Sequence, residues 1–269
     1  MKCCSAQITS CWEDPERTLK KIEPCIRQAA SAGARIIAFP EQFATGWDPC
    51  SDRHIQDSSG TIVSTLKKYA QEYSIAVLGS FRERRSPLPA NSAIVVDGDG
   101  TIRAVYAKMH PFTLVHEERC YAAGDDIAVF DIEGTKFGIA ICYDLRFPSL
   151  FQVYAKKGVC GVFVPSAWPA SRIRHWELFV KARAVENQMY IIGINTPGKT
   201  PVGQYAGASM TTDPDGCIVA RAGGGNELLF SDVDPAKVED ARRRFPSHED
   251  QRTELYHRLH QREYRRLYL

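Results

Sequence analysis

An α/β fold built from stacked layers of sheet and helix is predicted by three observations on this sequence. Amphipathic helical patterns are followed by short apolar runs of strand length, twice in the first half of the chain and twice in the second. Glycine-bearing turns at Asp97-Gly98-Asp99-Gly100, Glu133-Gly134 and Asp213-Pro214-Asp215-Gly216 join other apolar runs into hairpins. Because each half mixes helix-to-strand units with hairpins, the sheets are expected to pack face to face with helices outside. A single domain over residues 1–269 is expected, with an extension from about residue 240 onward.

After a short apolar strand near Ala6, Asp14 and Pro15 start a helix, and Leu19, Ile22, Ile26 and Ala29 recur at helical spacing until Gly33. Ala34 to Phe39 is a buried strand, bounded by Gly33 and Pro40, and Glu41 stands just beyond it. Ile62, Leu66, Tyr69 and Tyr73 form one face of a second helix, leading into a strand from Ile75 to Leu78. Ala93–Val96 and Ile102–Ala107 flank the first glycine turn, and Lys108 follows at the hairpin's exit. Met109 to Asp126 has no periodicity, as expected of a functional loop. The next hairpin delivers a strand from Phe137 to Ile141, so that Cys142 falls between this strand and a helix beginning near Pro148. A strand over Val159–Val164, a helix over His175–Gln188, a strand over Tyr190–Ile194 and a last hairpin complete the chain.

Composition excludes several function classes. Apolar residues make up 44% and charged residues 25%, an ordinary balance for a folded protein, and the net charge of +2 gives no overall reason to expect nucleic acid or membrane. Arg242, Arg243, Arg244, Arg265 and Arg266 are interspersed with acids, which suits a solvated tail or subunit contact better than a phosphate-tracking face. The first residues meet charges and a proline too early for a signal peptide, and no apolar run reaches membrane-spanning length, so a cytoplasmic protein is expected. Nine scattered cysteines lack paired spacing, and most are expected to be buried reduced thiols. His110, His116 and Cys120 match no common zinc site, and Gly223-Gly224-Gly225 lacks the ending of a phosphate loop. For His175, Trp176 and Glu177, at a helix start, a structural role and a substrate contact stand level.

Glu41, Lys108 and Cys142 share one position type, each directly after an apolar strand, where strand ends converge on a pocket. A cysteine that attacks an acyl carbon needs a base for its proton and a cation or dipole to favour negative charge. Spacing alone fits surface charges at strand ends better than a catalytic set.

The local strings are more specific. FPEQ around Glu41, YAKMH around Lys108 and GIAICYDLRFP around Cys142, followed by PSAW, HWELFVKARAVENQMY and ASMTTDPDG, resemble the nitrilase superfamily of carbon–nitrogen hydrolases over nearly the whole chain. The resemblance implies a four-layer αββα sandwich, a Glu-Lys-Cys triad on Glu41, Lys108 and Cys142, no metal or organic cofactor, and a homodimer. It also implies a supporting acid or base at Glu117, which precedes Tyr121 and Gly124 in the family's spacing. Tyr143, through its N–H, together with Arg146 and Trp168, is expected to bind the oxyanion or substrate. True nitrilases place Trp-Glu after the nucleophile, where this chain has Tyr143-Asp144, so nitrile hydrolysis is disfavoured. CYDLRFP looks most like the ω-amidase and Nit-type branch, which acts on small amides bearing a carboxylate, although Ser149 stands where that branch usually has Glu. The expected reaction is thioester-mediated amide hydrolysis releasing ammonia, with N-carbamoyl hydrolysis or a silent binding partner as alternatives.

Overall fold

In the computed structural model, which describes residues 1–268, the first half runs β1 (Lys2–Gln7), α1 (Pro15–Ser31), β2 (Ile36–Ala38), α2 (Thr61–Tyr73), β3 (Ala76–Glu83), β4 (Ala90–Val96) and β5 (Ile102–Ala107). The second half runs β6 (Val129–Ile132), β7 (Thr135–Ile139), α3 (Pro148–Lys156), β8 (Gly161–Ser166), α4 (Ile173–Asn187), β9 (Tyr190–Asn195), the hairpin of β10 (Pro197–Thr200) and β11 (Gly203–Ala206), β12 (Met210–Thr212), β13 (Ile218–Arg221) and β14 (Glu227–Asp232). Helices α5 (Pro235–Arg244) and α6 (Thr253–Tyr268) follow.

Two six-stranded sheets result, ordered β14-β1-β2-β3-β4-β5 and β13-β12-β9-β8-β7-β6. In each, three strands are parallel and joined by helical crossovers: β1, β2 and β3 through α1 and α2, and β7, β8 and β9 through α3 and α4. Side-chain alternation then sorts residues between layers. Cys3, Ile36, Ala38, Leu78 and Val95 face the second sheet's Phe137, Ile139, Val162 and Ile192 in the central core. Their neighbours Cys4, Ile37, Val77 and Ile94 point the other way, against Leu19, Ile22, Ile26, Ile62 and Leu66 of α1 and α2. Phe151 and Tyr154 of α3 and Trp176, Val180 and Ala184 of α4 cover the second sheet's outer face. This is the αββα sandwich.

Local chemistry sets the boundaries. Asp14 caps α1 by accepting the Arg17 N–H at 3.0 Å, with Pro15 at the first helical position. Gly100 at φ +83°, and Glu133 and Gly134 at φ +51° and +80°, supply the left-handed residues their tight hairpins require. Three expectations are corrected. The strand read as Phe137–Ile141 leaves its ladder after Ile139, the strand read as Ile75–Leu78 continues to Glu83, and the aperiodic stretch from Met109 contains single 3-10 turns at Thr113–Val115 and Glu117–Arg119. Among the described residues no helix is long and apolar enough to cross a membrane.

Candidate active site

Glu41 follows β2, Lys108 follows β5, Cys142 lies three residues past β7, and Ala167 follows β8. The carboxyl ends of parallel strands are where open α/β sheets gather their functional groups. Here the two sheets meet, so each contributes part of one constellation.

Lys108 is 1% exposed, and its Nζ donates to Glu41 Oε1 and to Glu117 Oε2, both at 2.8 Å. Asn91 of β4 braces the same pair, its Nδ2 donating to Glu41 Oε1 at 2.8 Å and to Glu117 Oε1 at 3.0 Å. The remaining carboxylate oxygen of Glu41 accepts the Ala167 N–H at 3.0 Å, and Glu117 Oε2 accepts the Phe112 N–H at 2.6 Å. Two carboxylates thus hold one ammonium, all three buried, with backbone and amide donors taking the spare lone pairs as a buried ionic group requires. Buried Arg82 supports the loop after Glu41, donating through Nε to Gln42 Oε1 at 3.0 Å and pairing with Glu13 at 2.7 Å.

Cys142 opens a 3-10 turn, Cys142–Arg146, with its own φ at +45°, a region where side chains other than glycine are uncommon. The turn is anchored by buried Asp144, which accepts the Ile141 N–H at 2.8 Å, the Tyr106 hydroxyl at 2.7 Å and the His110 N–H at 2.9 Å. From α4, Arg183 donates to the carbonyls of Leu145 and Arg146 at 3.0 and 3.2 Å. This sharp, pinned turn brings the thiol to the cleft shared with Lys108 and into the electrostatic field of Glu41. Tyr143, second in the turn, has an N–H of the kind that finds no acceptor within its own helix.

The electrostatics refine the sequence expectation. Burial, then the Glu41 carboxylate, push the Cys142 thiol well above its ordinary value, against the pull of Lys108. Lys108 does not yield a resting thiolate, because two carboxylates already share its charge. Burial and the Glu117 charge lift Glu41 above the ordinary 4.5, against Lys108 and Asn91. For Glu117, Lys108 and its hydrogen bonds outweigh burial, and its carboxyl falls below 4.5. Lys108 is lifted by Glu117 and Glu41 despite its burial, so it is an ammonium at any working pH. Buried Cys3, Cys4 and Cys160 also have thiols pushed up to about 12. What distinguishes Cys142 is a base beside it.

A cleft of about 350 Å³, counting its open mouth, reaches the thiol and is lined by Trp47, Phe112, Tyr143, Trp168, Arg146 and Arg172, with Lys108 and Cys142 at its base. All seven residues singled out from sequence therefore converge: Lys108, Cys142, Tyr143, Arg146 and Trp168 on the cleft, and Glu41 and Glu117 bonded to Lys108 behind it. Sequence reasoning missed Asn91, Asp144, Ala167, Trp47, Phe112 and Arg172. Asp144 had a signal in the quoted CYDLRFP string, whereas an asparagine inside a strand carries none. Of the residues at the start of α4, Trp176 is fully buried and donates Nε1–H to the Ala208 carbonyl, Glu177 pairs with Arg221, and His175 Nδ1 lies 3.3 Å from the Arg146 guanidinium. Ser149 is exposed near the start of α3 and does not line the cleft.

One cysteine expectation is corrected. Cys50 and Cys120 form a disulfide with Cα atoms 5.1 Å apart, joining the loop after Glu41 to the turn that carries Glu117. Their separation of 70 residues hid the pairing, since spacing cannot reveal a contact that only the fold creates. Closing a loop of this size stabilises by up to about 4 kcal/mol through the unfolded chain. Reduction, or Cys120→Ser, is expected to lower Tm by up to about 10 °C, read by scanning calorimetry with and without dithiothreitol. An unchanged Tm would show that the bond contributes nothing.

Comparison with known proteins agrees with this architecture. The sequence model of the carbon-nitrogen hydrolase family matches residues 3–243. The 2-oxoglutaramate amidase of Bacillus subtilis is 31% identical over 244 residues, covering 90% of this chain and 94% of its own. Omega-amidase NIT2 of Homo sapiens is 31% identical over 243 residues, covering 86% of this chain and 88% of its own. The crystal structure of Saccharomyces cerevisiae Nit3, a member of branch 10 of the nitrilase superfamily, superposes with a TM-score of 0.83 at 27% identity, covering 91% of this chain and 94% of its own. With a match spanning most of its length and a sandwich of the same kind, the chain belongs to the carbon-nitrogen hydrolase family of the nitrilase superfamily.

Proposed function

We propose that this enzyme hydrolyses a small ω-amide bearing a carboxylate, with Cys142 as nucleophile, Glu41 as acid and base, Lys108 as oxyanion donor and Glu117 as the group that positions Lys108. The observation that carries this reading is the buried ammonium held between two carboxylates at the base of a cleft that also contains the thiol. The amidase names of the Bacillus subtilis and human relatives support the substrate class.

In this mechanism the resting thiol is neutral, and its proton moves to Glu41 as sulfur attacks the amide carbon, so no isolated buried thiolate forms. The carbonyl oxygen takes the electron pair, and the Lys108 ammonium and the Tyr143 N–H stabilise it in a water-poor site. Collapse breaks the carbon–nitrogen bond, and Glu41 returns the proton to the departing amine, which leaves as ammonia. Water then attacks the thioester as Glu41 takes its proton, the second oxyanion uses the same donors, and its collapse breaks the carbon–sulfur bond as Glu41 returns the proton to Cys142 and the carboxylic acid departs. A carboxyl lifted by burial suits a group that must accept and release one proton in each half-reaction.

A panel of ω-amides, N-carbamoyl compounds and nitriles, scored for ammonia and carbon dioxide, tests the reading. Ammonia alone from ω-amides is expected, and carbon dioxide with ammonia from carbamoyl compounds as the preferred reaction would replace it. A pH profile tests Glu41. Activity requires its carboxylate, so kcat/KM is expected to fall with acid through a midpoint above 4.5. Glu117→Gln removes the neighbouring negative charge that lifts Glu41, so the acid limb is expected to shift to lower pH even as kcat drops; an unmoved limb would exclude Glu41 as the titrating group. We also infer a cytoplasmic setting, tested by fractionation, and a homodimer, which light scattering measures directly.

A further inference from the structure

The outer part of the cleft carries two cations with no acidic partner. Among the described residues neither Arg146 nor Arg172 has a carboxylate within ion-pair distance, although both are half-buried and both line the cleft. The polar neighbour of the Arg146 guanidinium is His175 Nδ1 at 3.3 Å. Aromatic rings surround the guanidinium, with the ring centres of Trp168 at 4.9 Å, Phe179 at 5.2 Å and Tyr143 at 5.9 Å from its central carbon. Cation–π contacts of this kind hold a guanidinium in place without using up its N–H donors.

Arg172 approaches from another element. It ends the 3-10 turn Ala170–Arg172 between β8 and α4, its carbonyl accepts the Trp168 indole N–H at 2.9 Å, and its guanidinium lies 5.8 Å from the Phe112 ring centre. Phe112 is in turn fixed by its N–H to Glu117. Arg172 is thus tied on one side to the cleft wall and on the other to the loop that positions Lys108. Burial and the nearby Arg172 charge both hold Arg146 below its ordinary value, so each guanidinium raises the electrostatic cost of the other. A bound anion removes that repulsion.

The same cleft that holds these cations and the Lys108–Cys142 pair is walled by the aromatic side chains of Trp47, Phe112, Tyr143 and Trp168. A ligand that satisfies the whole cleft has an amide head at the thiol, a short apolar middle and an anionic tail.

We propose that Arg172, unassigned by sequence, forms with Arg146 a two-guanidinium clamp on the substrate's distal carboxylate and sets the preference for acid-bearing over neutral amides. This rests on the ω-amide reading above. The test compares succinamate with butyramide, an amide of the same chain length without the carboxylate, in the full-length protein and in Arg172→Met and Arg172→Lys. The wild type is expected to prefer succinamate. In Arg172→Met the ratio of kcat/KM for succinamate over butyramide is expected to fall about 10- to 100-fold, the effect of losing one charge-assisted contact, chiefly through KM. In Arg172→Lys part of that ratio returns. An equal loss on both substrates would assign Arg172 a structural role and overturn the clamp. So would a ratio that does not move while the wild type still prefers succinamate. A wild type that turns over amides without preferring succinamate would instead overturn the carboxylate reading itself, and the clamp with it.

Discussion

Cys142→Ala is expected to abolish hydrolysis of every substrate, with kcat falling by at least about 10⁴-fold, while the protein stays folded. The two-stage reaction has no path without sulfur, because water would have to attack an unactivated amide directly. The rest of the site should survive, since Lys108, Glu41, Glu117 and Asn91 bond to one another and to backbone N–H groups. Cys142→Ser should be nearly as inactive, because a hydroxyl is harder for Glu41 to deprotonate than a thiol. Ammonia release and circular dichroism on the same preparation check both halves of the expectation. Full ammonia release from the folded alanine variant would end the covalent mechanism.

Lys108→Met is expected to be the most damaging change to the fold as well as to turnover. It leaves Glu41 and Glu117 facing each other in a buried site with the ammonium between them removed, a loss of about 3–5 kcal/mol by analogy with broken buried ion pairs. That corresponds to a Tm lower by roughly 6–20 °C for a chain of this size. Loss of the oxyanion donor adds a fall in kcat of about 10²- to 10³-fold or more. The pH dependence has a definite sign. Without Lys108 both carboxyls are raised above their unfolded values by burial and mutual repulsion, so the folded state binds protons more tightly than the unfolded chain. Stability then falls as pH rises through the unfolded values toward the raised folded ones, and the variant should melt higher at mildly acidic pH than at alkaline pH. Adding Glu117→Gln to Lys108→Met should restore part of the stability and none of the activity. A variant as stable as the wild type across this range would mean that the carboxylates are hydrated and the pocket is not dry.

The candidate constellation was more legible in the sequence than its supports. Glu41, Lys108 and Cys142 each follow a recognisable apolar strand and sit in distinctive strings, so their convergence could be expected before any geometry was known. The layered fold followed from helix-to-strand alternation, which the core reproduces residue by residue in the opposite facing of Ile36 and Ile37. Asn91 was invisible because its role arises from Glu41 and Glu117, 50 and 26 residues away in sequence, not from its neighbours in β4. The Cys50–Cys120 bond was hidden for the same reason. The β10–β11 hairpin escaped because Pro197-Gly198-Lys199-Thr200 and Gly203-Gln204-Tyr205-Ala206 lack the apolar alternation that marks a strand.

The left-handed backbone at Cys142 sets stability and chemistry against each other at a single residue. Glycine rests easily at φ +45°, while any side chain there holds the chain uphill by about 1 kcal/mol or more. A lineage that retained this sandwich only as a scaffold would have a downhill exit through this position, discarding sulfur for glycine with little harm to folding. Cys142 therefore holds its thiol at a backbone position that glycine would occupy at lower cost, and Cys142→Gly removes the sulfur while relieving the turn.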